Sequence, residues 1–97
     1  MHMHAQLIVK AKEVRDNASI VEIVVWRVVK PIQPCWHLFK YRLYFGSRET
    51  CWVRYDNERG KGDHHHVGAL EERYHFESLA KLLADFQHDL TTWRKAP

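Results

Sequence analysis

Residues 55–66, YDNERGKGDHHH, gather a lysine between two glycines, an aspartate and three consecutive histidines into one polar dodecapeptide. On an extended chain alternate side chains share a side, so His64 and His66 face one way and His65 the other. Two imidazoles on one side, Asp63 able to orient one of them and Lys61 beside them are the parts that acid/base cleavage of RNA requires. One imidazole takes the proton of the 2′-hydroxyl, another protonates the departing 5′-oxygen, and a cation stabilises the charge growing on phosphorus. No metal and no other cofactor enters that scheme. Gly60 and Gly62 let the backbone bend and present amide hydrogens next to the Lys61 cation, a setting for a phosphate oxygen. This is not a Walker motif, which needs Gly, four residues, then Gly-Lys-Ser/Thr ahead of a helix. Two other readings compete: metal ligation by Asp63, His64, His66 and His75, and a solvated polar loop whose glycines serve only a tight turn.

The segment lies where a run of strands hands over to a helix. Residues 5–14 alternate, with Ala5, Leu7, Val9 and Ala11 on one side and Gln6, Lys10 and Lys12 on the other, the period of a half-buried strand. Asp16-Asn17-Ala18-Ser19 is turn chemistry, and residues 20–29 are β-branched on both faces, which predicts a central strand. Pro31 and Pro34 end it. Alternation returns over 35–45 and again over 50–57, around a turn at Gly46-Ser47-Arg48-Glu49. Residues 64–76 allow a fifth strand. Ser78 is then a plausible N-cap for a helix over 78–93, in which Leu79, Leu82, Leu83, Phe86, Leu90 and Trp93 form one apolar stripe. The expectation is an α+β fold: an antiparallel four- or five-stranded β-meander with the C-terminal helix packed on one face, in a single domain over 1–97.

Matching the apolar faces of the third and fourth strands pairs Phe45 with Cys51, which sets Arg42 opposite Arg54 and Lys40 opposite Asp56. Like charges directly opposed cost stability unless an anion comes between them. Lys40, Arg42 and Arg54 are therefore candidate RNA- or phosphate-binding residues, against the plainer possibility of a solvated polar face. The balance of 15 Lys and Arg against 12 Asp and Glu, net +3, favours an anionic partner weakly. Cys35 and Cys51 form no CxxC or zinc-ribbon spacing and are expected as reduced, buried thiols. Trp26 and Trp36 are expected in the core. The chain holds no apolar run of the roughly 18 residues that cross a bilayer and no secretion-signal layout, so no membrane association and a cytoplasmic location are expected.

The pattern Tyr-Asp-Asn-x-x-Gly-Lys-Gly-Asp-His-x-His, preceded by IVEIVVWRV and KYRLYFG and followed by YHFESLAKLLADF, resembles the TumE family of small bacterial toxins from toxin-antitoxin operons. The resemblance runs from about Ala5 to Leu90. Tyr55, Asp56, Asn57, Gly60, Lys61, Gly62, Asp63, His64 and His66 match it, and His65 falls at its variable position. It implies a toxin neutralised by a helix-turn-helix antitoxin encoded beside it. Two classes of function follow: a metal-independent ribonuclease using His64 and His66, with Asp63 as orienter and Lys61 as phosphate contact, or a non-catalytic RNA- or protein-binding module using the same loop and basic face. The oligomeric state is not legible in the sequence.

Overall fold

In a computed structural model of the chain, which describes residues 5–93, one antiparallel sheet carries a single helix. The strands are β1 (Gln6–Val14), β2 (Ile20–Arg27), β3 (Phe39–Gly46), β4 (Cys51–Glu58), β5 (Gly62–Val67) and β6 (Leu70–Arg73), followed by α1 (Leu79–Thr92). They lie in sequence order, so the meander is as expected, but it has six strands rather than four or five. The difference arises at Gly68, whose φ of +58° is a left-handed turn conformation open to glycine. That turn folds residues 64–76 back on themselves as β5 and β6 instead of one strand. The strand foreseen over 35–45 begins only at Phe39, after an irregular excursion across residues 28–38.

The helix is built as its sequence dictates. The Ser78 hydroxyl accepts the amide of Lys81 at 3.1 Å as N-cap, and Leu82 and Phe86 are buried in the sheet. Facing them are Val21, Val25, Tyr41, Leu43, Phe45, Val53 and Tyr55, with Phe76 closing one end. Fourteen residues make a rod about 21 Å long and roughly 10 Å across. Six strands at about 4.8 Å spacing span about 24 Å. The helix therefore packs on β3 and β4 and leaves the far side of the sheet bare. Strand β1, expected to be half-buried, is exposed along its length except at Val9; Leu7, Ile8 and Val14 face solvent.

The register between β3 and β4 also departs from expectation. Phe45 pairs with Val53 and Gly46 with Cys51, across a bulge that inserts one residue into β4. The extra residue lets Trp52 meet the edge of Phe45 at 5.1 Å and stack on Trp93 at 4.8 Å. In consequence Arg42 lies opposite Asp56 and Arg54 opposite Tyr44, so the two arginines are not opposed and Lys40 does not face Asp56. Of the residues expected in the core, Trp36 is 65% exposed, edge-on to Phe76 and His37, and Trp26 is half-buried on the face away from the helix. Cys35 and Cys51 are free thiols, the first buried and the second only half-buried.

Candidate active site

Gly60 and Gly62, with φ of +88° and +78°, turn the chain from β4 into β5, and β5 then sends alternate side chains to the two faces of the sheet. Asp63 and His65 go to the helix side. His64 and His66 go to the open side, their ring centroids 5.3 Å apart, as the spacing predicts.

Asp63 cannot orient either of them. Its Oδ1 accepts the Tyr41 hydroxyl at 2.6 Å and lies 2.8 Å from His37 Nε2. The amide of Phe39 donates to His37 Nδ1 at 3.1 Å, which fixes the proton of that ring on Nε2 and makes it a donor to Asp63. Cys35, His37 and Asp63 lie close enough together to suggest a metal site or a nucleophile with its base. With Nδ1 accepting from backbone and Nε2 donating, however, His37 has no lone pair left for a cation or for the Cys35 thiol. Burial raises the Cys35 pKa, which holds the sulfur as an inert thiol beside the Asn57 amide. This cluster ties the 28–38 excursion to the sheet. Tyr41 is likewise held in its phenol form by burial and by its bond to Asp63.

His65, which falls at the variable position of the family pattern, is structural. Its ring stacks on Tyr55 at 4.1 Å and its Nε2 lies 3.0 Å from Asp89 Oδ2, which accepts the Tyr55 hydroxyl at 2.6 Å. A strand residue is thereby pinned to the helix.

On the open face the carboxylate beside the histidines is Asp56, which the expected register sets opposite Lys40. Its Oδ1 lies 2.7 Å from His64 Nε2 and its Oδ2 3.2 Å from Arg54 Nε. His64 Nδ1 is 3.0 Å from the Gly62 carbonyl, so that nitrogen carries the proton and Nε2 is aimed at Asp56. The approach lies out of line for a hydrogen bond, and Arg54 Nε, Asp56 Oδ1 and His64 Nε2 are all buried without an aligned partner. His66 Nε2 is 2.8 Å from Arg54 Nη2 and 2.8 Å from Glu71 Oε2. Burial and then the Arg54 charge lower the His66 pKa below the ordinary histidine value, against the opposing pull of Glu71 and Asp56. His64 and Asp56 are nearly covered, with side chains 6% and 9% exposed, whereas His66 is 20% exposed at the surface.

Glu71, on β6, was absent from every candidate set. Its Oε2 is 2.8 Å from His66 Nε2, 3.8 Å from His64 Nε2 and 3.8 Å from Lys61 Nζ. One carboxylate oxygen thus occupies the point on which Lys61, His64 and His66 converge. The signal that would have found it is the turn at Gly68, since a hairpin centred there pairs His66 with Glu71.

The remaining candidates are spread about this cluster. The Gly60 amide donates to the Gln33 carbonyl at 2.8 Å and the Lys61 amide to Glu58 at 3.0 Å, so these two N–H groups are spent within the fold. Arg42 shares a cross-strand row with Asp56 and His64, its Nη1 donating to Glu22 at 3.3 Å and its guanidinium lying over the Tyr44 ring. Lys40 Nζ donates to the Asn57 carbonyl. The metal set Asp63, His64, His66 and His75 does not assemble; the convergent donors are Asp56, His64 and His66, within 4.8 Å of one another. No helix among the described residues is long and apolar enough to cross a membrane.

Compared with known proteins, the chain matches the family model described as Toxin TumE over residues 4–94. No curated protein and no solved structure matches it.

Proposed function

From the premise that the chain belongs to the Toxin TumE family, and so is a toxin with an antitoxin as its partner, we propose that it acts on RNA as a ribonuclease at the open face of β4, β5 and β6. The observation that carries this reading is the seat of Glu71 Oε2 among Lys61, His64 and His66. A carboxylate oxygen there marks where an anion is held, and a phosphate oxygen of RNA takes its place. Arg54 and Lys61 then supply positive charge to the phosphorus centre. His66, the more exposed imidazole and the one with the depressed pKa, is neutral at pH 7; once Arg54 turns from its Nε2 to the phosphate, that nitrogen accepts the 2′-hydroxyl proton. The 2′-oxygen bonds to phosphorus, the bond to the 5′-oxygen breaks, and the departing oxygen takes a proton from His64 Nε2, which the scheme requires as the imidazolium, with one proton on Nδ1 toward the Gly62 carbonyl and a second on Nε2. Asp56 takes the place of Asp63 as the carboxylate beside His64. The antitoxin, a helix-turn-helix protein in this reading, neutralises the toxin by covering the same face.

One observation favours a second reading. With Nδ1 bound to the Gly62 carbonyl, the His64 Nε2 lone pair faces a carboxylate oxygen at 2.7 Å, and the His66 donor atom lies near both; such an arrangement also suits a divalent cation. Arg54 Nη2, 2.8 Å from His66 Nε2, opposes it by placing a positive charge against one of the ligands.

The deciding experiment is multiple-turnover degradation of RNA by purified protein with and without EDTA. Cleavage that survives EDTA and falls about 10²- to 10⁴-fold in His66→Ala supports the acid/base scheme. Loss of cleavage in EDTA moves the assignment to the metal reading. Toxicity that persists in the His64/His66 double alanine variant at equal protein level overturns both and leaves a non-catalytic binding module.

A further inference from the structure

Beside the histidine cluster the open face carries a groove of about 370 Å³ that the cleavage scheme does not use. Val24, Trp26 and Val28 form its apolar wall and Lys40 and Arg42 its basic rim. The size is in the lower part of the range for small-molecule sites, roughly 300–1,000 Å³. Trp26 pairs across the strands with Lys40, and Val24 with Arg42. Arg42, Asp56 and His64 continue the second of these rows to β5, and Lys10 extends it to β1. Three interstrand steps, about 14 Å, therefore separate Val24 of the groove wall from His64, and two, about 10 Å, separate the Arg42 rim from it, along one face of the sheet.

Trp26 is the unusual member. It is half-buried, yet its ring meets no other aromatic ring and its indole N–H has no acceptor among the described residues. The other tryptophans are engaged: Trp52 stacks on Trp93, and Trp36 contacts Phe76. An aromatic plane with a spare donor, flanked by two cations, matches a nucleotide whose base is flat and apolar on its faces, polar on its edge, and attached to a phosphate. Lys40 and Arg42 each spend one donor internally, on Asn57 and Glu22, and keep others for a phosphate oxygen.

We propose that this groove is a base-binding subsite for single-stranded RNA. It holds one unstacked base against Trp26, with the flanking phosphates on Lys40 and Arg42, while a phosphodiester further along the strand reaches His66. The proposal rests on the reading that this face cleaves RNA, and it adds the substrate class. A base within a duplex has both faces covered by its neighbours and cannot enter, whereas single strands are bound through splayed bases on aromatic side chains.

The test measures binding of labelled all-deoxy and 2′-deoxy-substituted oligonucleotides, which lack the attacking hydroxyl and are not cut by the proposed route. Trp26→Ala is expected to weaken binding about 5- to 150-fold, from the usual value of one base stacked on an aromatic ring. Trp26→Phe should retain most of the affinity. Wild-type protein should bind an oligonucleotide with a suitably placed abasic position as weakly as Trp26→Ala binds the intact one, a comparison that does not depend on how the variant folds. The Trp26 contribution should persist at high salt, while that of Lys40 and Arg42 fades. Equal binding of intact and abasic strands throughout an abasic scan, or equal binding of duplex and single strand, overturns the proposal. So does a Trp26→Ala variant that binds RNA normally but loses its antitoxin, since the groove then takes a protein side chain. Trp26-dependent binding without any cleavage of RNA leaves the subsite standing and removes the ribonuclease reading alone.

Discussion

At the scale of single residues, Glu71 and His65 are the positions whose roles differ most from what their neighbours in sequence suggest. Glu71 presents a negative charge at the convergence of Lys61, His64 and His66, and in the proposed scheme it leaves when a phosphate of RNA takes its place. Glu71→Ala is therefore expected to tighten binding of a non-cleavable oligonucleotide by several-fold, checked by anisotropy at fixed salt; an unchanged or weakened affinity removes the anion-mimic argument. His65 stacks on the buried Tyr55 ring and anchors to Asp89, so His65→Ala should cost about 1–3 kcal/mol of stability. Urea unfolding measures this, and cleavage by the fraction still folded should change little. The lowered pKa of His66 sets the pH dependence. A general base works only when neutral, so the acid limb of kcat/KM falls with pH below the ordinary histidine value of about 6.5. A limb centred above that value excludes His66 as the base. The same depression means that the unfolded chain takes up a proton at this residue more readily than the folded one. Its contribution to stability is present above the unfolded pKa and is lost as pH falls through the folded one.

At the scale of elements, the meander, the C-terminal helix with its Ser78 cap and the opposite facing of His64 and His65 were all legible from periodicity. What periodicity could not supply is register. Two choices turned on one residue each: the bulge that brings Trp52 onto Trp93 and the reversal at Gly68. Each is decided by tertiary contact or by a single backbone conformation, neither of which leaves a period in the sequence. The candidate site was legible in the same proportion. His64, His66 and Lys61 came from residue type and spacing. Asp56 and Glu71 reach them from other strands, and only the pairing of β4, β5 and β6 shows it. Asp63 was misread because an acidic residue next to a histidine in a strand points to the opposite face.

For the whole molecule, the side of the sheet that the helix leaves bare is also the side that carries Arg54, Lys61, Arg42 and Lys40, and we expect the antitoxin to meet them with acidic residues. Reversing all four charges should reduce the association rate and the affinity for the cognate antitoxin at low salt, with the difference shrinking as salt rises. Affinity unchanged at low salt places the antitoxin elsewhere. The helix makes its sheet contacts on β3 and β4, with a further anchor from Asp89 to β5, and gives β1 no comparable cover. Cooperative protection against solvent follows packing rather than hydrogen-bond number, so the amides of this sheet will not exchange as one body. Deuterium should enter β1 and the four-residue β6 first and the interior of β3 and β4 last. Opening at the β6 end would briefly lift Glu71 from His66 while the core stays closed, and since an amide exchanges no faster than its strand opens, the rate at which deuterium enters β6 would be a floor under how often the proposed anion seat is exposed.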